Sequence, residues 1–357
     1  MKIGIVGMPN AGKTTLFNAL TQAGASTASY PFTTVDPNIA VVDVPDDRLA
    51  RVAATIGATP VIYDTIEFHD IAGLVRGAHA GEGLGNQFLG SIRETDAICH
   101  VVRTHTDDGV PHPDGKVEPV DDVELIEAEL LLADLAQAET RLARVKKQAG
   151  SGEKEVVAER DWLAEVVEAL QQGEPVRSVA APPGAAGAEL RLHALTSKPI
   201  LYVANVDEGA IEPPPEIAVR AREAGAAAVA LSARIESDLA ELPEAEAAEL
   251  REGLELSESG LQRVIQAAYE LLDLVTFFTA DEGREARAHS LPRGGTAWEA
   301  AGRVHGEIQA QFVRAEAIGW DELIDAGGYV SASEQAKLRT EGRDYVVADG
   351  DVIHIRT

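Results

Sequence analysis

The chain has 357 residues, 45 % of them hydrophobic, enough for two or three domains with cores of their own. Its net charge of −28 repels nucleic acid on average, so any RNA contact has to come from a local basic patch. Cys99 is the single cysteine, which excludes an internal disulfide and argues against a cysteine-based metal site; no apolar run approaches the roughly 20 residues that cross a bilayer, the first residues read as a strand rather than a signal peptide, and a cytoplasmic setting is expected.

Lys2 to Val6 predicts a short apolar strand, and Thr14 to about Ala23 a helix. Between them Gly7-Met8-Pro9-Asn10-Ala11-Gly12-Lys13-Thr14 has the spacing G-x-x-x-x-G-K-[ST] of a P-loop. Glycines let several backbone N–H groups turn inward on one phosphate chain, and the helix N-terminus adds its dipole. Asn10, Ala11, Gly12, Lys13, Thr14 and Thr15 are therefore the expected phosphate-binding residues. Lys13 is expected to reach the β- and γ-phosphates, and the Thr14 hydroxyl to bind Mg²⁺.

Ser29 to Asn38, rich in proline and hydroxyl residues, predicts a loop. Ile39 to Val44 and Val61 to His69 predict neighbouring strands, with a short amphipathic helix over Asp46 to Ile56 between them. The second run leads into Asp70-Ile71-Ala72-Gly73. In P-loop nucleotidases an aspartate at this strand end holds the Mg²⁺ water shell, and the glycine N–H meets the γ-phosphate. The Gly-rich stretch Gly77 to Asn86 is expected to be mobile, and helix Gln87 to Thr95 and strand Ala97 to Val102 follow.

Arg103 to Pro119 reads as a polar loop carrying His105 and His112. Asp121 to Lys147 is strongly helical, with Leu125, Ala128, Leu132, Leu135 and Leu142 approximating a heptad seam. Glu153 to Gln172 forms a second helix with Val156, Leu163, Val167 and Leu170 on one face, so the two predict a projecting antiparallel hairpin. A partner-binding arm and a self-packed insertion both fit it. Residues 173–190 read as a linker. Strand Pro199 to Ala204 ends in Asn205-Val206-Asp207-Glu208. A helix at about Glu216 to Ala224, the strand Ala226 to Leu231, Ser232-Ala233-Arg234 and a helix over Gly260 to Leu272 complete this region. Such alternation implies a doubly wound parallel sheet. From Val275 the chain turns β-rich, with strands at Val275 to Thr279 and Glu285 to Ser290, a helix at Thr296 to Val304, and a closing hairpin of Tyr345 to Val347 with Val352 to Arg356. The expected boundaries are 1–120 with 195–274 for the nucleotide-binding domain, 121–194 for the helical insertion, and 275–357 for the last domain.

Taken together, the P-loop, Tyr30-Pro31-Phe32-Thr33-Thr34 with Asp36-Pro37-Asn38, Asp70-Ile71-Ala72-Gly73-Leu74-Val75, Gly81-Glu82-Gly83-Leu84-Gly85-Asn86-Gln87-Phe88 and Asn205-Val206-Asp207-Glu208 resemble the YchF, or Obg-like ATPase, family along essentially the full chain. The C-terminal region is similar to that family's TGS domain. The fold so implied is α/β: a P-loop doubly wound, mainly parallel sheet with an inserted α-helical hairpin and a small β-grasp-like TGS domain. The resemblance further implies ATP hydrolysis with GTP the weaker ligand, Mg²⁺ as cofactor, and association with the ribosome or its large subunit. RNA contact would come through the helical arm and the TGS domain, with no membrane.

GTPases of this superfamily read guanine with Asn-Lys-x-Asp. Here Val206 stands at the lysine position and Glu208 at the aspartate position. One extra methylene moves the carboxylate, and Val206 offers no charged stem, so the hydrogen bonds that favour guanine by a few kcal/mol are lost. Asn205, Val206 and Glu208, with Ser232 and Ala233 resembling the fifth nucleotide loop, are the expected base-side residues. Leu74 stands where Ras-like proteins carry the water-orienting glutamine. The resemblance implies a loop histidine instead, and His112 matches that position best, with His79 and His105 as alternatives; Lys13 and Gly73 complete the catalytic set. Asn10 matches the asparagine that holds K⁺ in potassium-activated relatives. Thr34, or its neighbour Thr33, is implied to close on Mg²⁺ with Thr14 and Asp70. Two other readings remain open: an Obg-type GTPase, and a ribosome- or RNA-binding adaptor whose nucleotide is structural.

Overall fold

The computed structural model describes the chain except residues 28–37, 72–83, 108, 114, 150–151, 186, 255 and 257–258. The expectations on Thr33, Thr34, Gly73, Leu74 and His79, and on most of the Gly-rich stretch, lie outside the described residues. The strands in chain order are β1 (Lys2–Val6), β2 (Ile39–Val44), β3 (Val61–Ile62), β4 (Asp64–Asp70), β5 (Ala97–Arg103), β6 (Ile200–Asn205), β7 (Ala227–Leu231), β8 (Leu274–Ala280), β9 (Ala286–Pro292), β10 (Arg314–Gly319), β11 (Arg339–Glu341) and β12 (Asp351–Arg356). The chain divides into two compact units: Met1–Ser26, Thr34–Val41 and Glu67–Leu271 form one, and Thr27–Thr33, Val42–Ile66 and Leu272–Thr357 the other.

The first unit is built on a sheet of order β2-β4-β1-β5-β6-β7, with β1 parallel to β4 and β5, and β6 parallel to β5 and β7. Every residue of β5 and β6 is buried, which is why these strands read as near-continuous apolar runs. The parallel ladder brings the C-terminal ends of β1, β4, β5, β6 and β7 to one edge. In open α/β sheets that edge is where ligands bind.

Helix Pro119–Gln148 divides between two cores. Val123, Ile126, Leu130 and Ala133 pack in one cluster with Ile98 of β5, Tyr202 of β6 and Phe88. Ala138, Leu142 and Val145 pack instead with Trp162, Leu163, Val166 and Leu170 of helix Lys154–Gln171. The expected heptad seam is corrected: Leu132 is 42 % exposed, Ala128 is exposed, and of the five seam residues only Leu142 is buried. The buried stripe instead follows the 3.6-residue period of an ordinary amphipathic helix. The expected linker is also corrected. Residues 173–190 carry the short turns Val176–Ser178 and Pro183–Ala185, and Val176, Ala185 and Ala188 are buried in the hairpin's own core. The hairpin is thus self-packed, and it is not a separate compact unit.

Buried Asp134 fastens the middle of the long helix to the approach to β6. Its carboxylate accepts from the Leu195 N–H at 2.9 Å, and from the Thr196 N–H and hydroxyl, each at 2.7 Å. Asp134→Ala would leave two buried backbone donors unmatched. We expect it to lower stability by about 3 kcal/mol, at 1–3 kcal/mol per unmade bond; a urea midpoint equal to wild type would refute this.

In the second unit the sheet order is β11-β10-β12-β8-β9-β3. β8 and β9 form an antiparallel hairpin, β12 runs parallel to β8, and β10 runs antiparallel to β12, giving the expected β-grasp-like arrangement. Phe277 and Phe278 of β8 face opposite sides, as the two-residue strand period requires. Phe277 packs with Ala297, Ala300 and Ala301 of helix Ala297–Val304; Phe278 packs with Leu49, Val52 and Ile56 of helix Asp47–Ile56. The run Val61 to His69, expected as one strand, breaks at Tyr63, so that β3 joins β9 while β4 joins β1. The unit therefore takes in residues 42–66, beyond the 275–357 anticipated. The expected closing hairpin does not form: Val346 makes only an isolated bridge to Thr296, and β12 pairs with β10 and β8.

Candidate nucleotide site

The chain turns sharply between β1 and helix Lys13–Thr27. Gly7 has φ +154°, Asn10 +64° and Gly12 +99°. A Cβ on Gly7 would stand 2.4 Å from the Val101 carbonyl oxygen, and one on Gly12 2.3 Å from the Asn205 amide nitrogen. Glycine is required at both places because the loop backbone lies directly against β5 and the end of β6. The N-terminus of the helix opens into a cavity of about 890 Å³. Asn10, Gly12, Lys13, Thr14 and Thr15 line it on one side, and Asn205 to Glu208 with Ser232 to Arg234 on another.

Lys13 is only 8 % exposed, and its ammonium group donates to the carbonyls of Gly7 (3.1 Å) and Met8 (2.8 Å). Burial lowers its pKa, and Asp70 at the end of β4 only partly opposes this. Burial likewise raises the Asp70 pKa against the pull of Lys13. Each charge is thus burdened by burial more than the other relieves it, an imbalance that an anion near Lys13 and a cation near Asp70 would correct. A cradle that leaves no room for a Cβ, a helix N-terminus, a buried ammonium, the Thr14 hydroxyl and the Asp70 carboxylate together fit a phosphate chain with Mg²⁺.

Asn205 is the hub between the loops. Its amide donates to the Ala11 carbonyl and accepts from the Ala233 N–H, both at 3.0 Å. Its own carbonyl receives the Thr104 N–H at 3.0 Å and the Thr104 hydroxyl at 2.9 Å. The P-loop, the end of β6 and the loop after β7 are therefore held in one frame. Val206 is buried with Ala204 and Ala230, and its N–H is committed to the Leu231 carbonyl, whereas Glu208 is exposed at the cavity.

The structure brings together the sequence-predicted phosphate-side and base-side residues, but it places His112 elsewhere. The His112 imidazole Nε2 lies 3.0 Å from Asp122 Oδ2, with side chains 4 % and 6 % exposed, at the start of helix Pro119–Gln148. It does not line the cavity, which has His105, Thr106, Asp107 and Val110 from the same loop. The loop nevertheless touches the phosphate side, because the Asn10 side-chain amide donates to the Pro111 carbonyl at 2.9 Å. Sequence reasoning missed Asp122, Thr106 and Asp107. Asp122 is legible afterwards as one of several acidic residues in a helix's first turn, a pattern that by itself signals only helix capping.

Comparison with known proteins agrees with this geometry. Residues 2–140 match a family model described as 50S ribosome-binding GTPase, and residues 274–357 match the YchF-GTPase C-terminal model, described as a protein of unknown function. The chain is 47 % identical over 359 residues to the ribosome-binding ATPase YchF of Bacillus subtilis, covering 99 % of this chain and 98 % of the relative. It is 45 % identical over 356 residues to the protein of the same name from Escherichia coli O157:H7, with the same coverage. The solved structure of the Schizosaccharomyces pombe YchF GTPase superposes with a TM-score of 0.88 at 32 % identity, covering 100 % of this chain and 97 % of that one. Full-length likeness in sequence and fold, centred on the same P-loop unit and the same C-terminal unit, makes this chain a member of the YchF family.

Proposed function

We propose that the chain is a Mg²⁺-dependent, ribosome-binding ATPase of the cytoplasm. Support comes from the cavity, where a P-loop with a buried lysine faces a base-side loop ending in Glu208. The names of the Bacillus subtilis and Escherichia coli relatives favour ATP and the ribosome, although the Schizosaccharomyces pombe relative is named a GTPase. Thr14 and Asp70 would hold Mg²⁺, joined by Thr34. The metal, when bound, neutralises charge on the phosphates. Lys13 supplies the protein's own cation, and the N–H groups of the helix's first turn hold the phosphate oxygens in place. K⁺ beside Asn10 and a Gly73 N–H on the γ-phosphate belong to the same reading. So does His112 ordering the attacking water in place of the glutamine that Leu74 displaces. The helical hairpin and the C-terminal unit would carry the ribosomal and RNA contacts. Among the described residues no helix is long and apolar enough to cross a membrane.

Base choice in this reading rests on the loop Asn205 to Glu208. The Val206 N–H is committed to the Leu231 carbonyl, so a backbone acceptor nearby, rather than this donor, would meet the adenine amino group. Restoring the guanine-reading pattern with Val206→Lys and Glu208→Asp should move the ATP-to-GTP affinity ratio toward GTP by roughly tenfold, the 1.4 kcal/mol of a charge-assisted hydrogen bond. Calorimetric titration with ATP and GTP side by side tests the function as well. A wild type that prefers GTP tenfold would overturn the ATP assignment in favour of an Obg-type GTPase. A wild type that binds nucleotide without hydrolysing it would leave the adaptor reading.

A further inference from the structure

Arg103 closes β5 and is among the largest fully buried side chains, only 2 % exposed. Its guanidinium bonds backbone carbonyls rather than a carboxylate: Nε donates to the His105 carbonyl at 3.3 Å, and Nη2 to the Asp107 carbonyl at 3.1 Å. Nη1 is buried without an acceptor. Residues 104–107 have no strand or helix ladder to fix them, so these two bonds and those of Thr104 set the course of the backbone. The side chains so placed, His105, Thr106 and Asp107, line the cavity together with the base-side residues Asn205 to Glu208.

We infer that Arg103 is the positioning residue for the base-side wall of the cavity, an inference that rests on reading the cavity as a nucleotide site. Arg103 touches no part of the cavity itself and acts through the loop wound on it. His105 is the link: its Nε2 lies 3.3 Å from the Asn205 amide nitrogen, the same nitrogen that holds the Ala11 carbonyl of the P-loop. Burial first, and the Arg103 charge next, lower the His105 pKa, which favours the neutral imidazole; with its proton on Nδ1, Nε2 accepts from that amide. Beside the two Thr104 bonds to the Asn205 carbonyl, the imidazole is thus the side-chain contact that ties the wall to the amide holding the P-loop. Lysine cannot replace this arrangement, because its single nitrogen cannot stand at both the Nε and the Nη2 positions from which the guanidinium meets the His105 and Asp107 carbonyls.

The consequence is a residue that matters for the base and not for the phosphates. Wild type, Arg103→Lys, His105→Ala and the double variant should each be titrated calorimetrically, in Mg²⁺, with ATP and with inorganic tripolyphosphate. Arg103→Lys and His105→Ala should each weaken ATP about tenfold while leaving tripolyphosphate within about twofold of wild type. The double variant should be no worse than the weaker single, because both changes break the same link. Equal loss of both probes in Arg103→Lys, as a general loosening of the fold would give, overturns the inference, and so does an additive double variant. If Arg103→Lys does not fold, His105→Ala still decides: retained ATP affinity there refutes the link. Failure of the nucleotide reading itself shows separately, as a wild-type chain that binds neither probe.

Discussion

Lys13→Ala should abolish tight binding of ATP·Mg²⁺, weakening it by about 100-fold or more, or about 2.8 kcal/mol at 1.4 kcal/mol per tenfold. The buried ammonium is the one P-loop cation at the cavity, and its bonds go to the Gly7 and Met8 carbonyls of its own loop. Those two bonds are modest, and burial already works against the charge. Removing the side chain should therefore change thermal stability little while removing the partner of the phosphates. The two readouts separate a site defect from a folding defect. Wild-type affinity in Lys13→Ala would refute the site assignment, and a loss of affinity accompanied by a collapsed melting temperature would leave it unsupported.

His112→Ala should lower kcat by roughly tenfold or more, within the range for loss of a positioned acid–base group, with ATP affinity nearly unchanged. In the described conformation the imidazole is packed on Asp122 and absent from the cavity lining, so acting on the γ-phosphate requires it to leave that carboxylate. The nearby Asn10–Pro111 contact joins its loop to the P-loop. Asn10→Ala should instead remove any advantage of K⁺ over Na⁺. Steady-state hydrolysis in both salts separates the two residues. An unchanged kcat in His112→Ala would reduce it to a helix-start residue bonded to Asp122, and His79 would be the next to test.

What the sequence disclosed, and what it hid, follows from the range of each interaction. That the P-loop, Asn205 to Glu208 and Ser232 to Ala233 meet at one cavity was legible because each stands at a C-terminal strand end of the parallel sheet that presents them. The heptad seam misled because Leu125, Leu132 and Leu135 repeat regularly in the chain, whereas helix Pro119–Gln148 is buried by two different neighbours, the sheet at one end and helix Lys154–Gln171 at the other. The break at Tyr63 left no mark either, since Val61 and Ile62 of β3 and Thr65 and Ile66 of β4 are all β-branched, while the two strands are received by different sheets. Arg103 looked like the first residue of a polar loop. Its burial depends on carbonyls two and four residues later curling back over it, which no composition signal announces.

Helix Pro119–Gln148 spans 30 residues, or about 45 Å at 1.5 Å per residue. Asp134 pins it near the middle, Asp122 holds His112 at one end, and Leu142 and Val145 sit in the hairpin core at the other. Between Asp122 and Asp134 the side chains of Val123, Ile126, Leu130 and Ala133 lie in the core with Ile98 of β5 and Tyr202 of β6. The helix is therefore clamped along its inner half as well as at Asp134, and cannot tilt at Asp122 without disturbing the sheet core itself. The outer hairpin and the seat of His112 are thus two ends of one continuous rigid element.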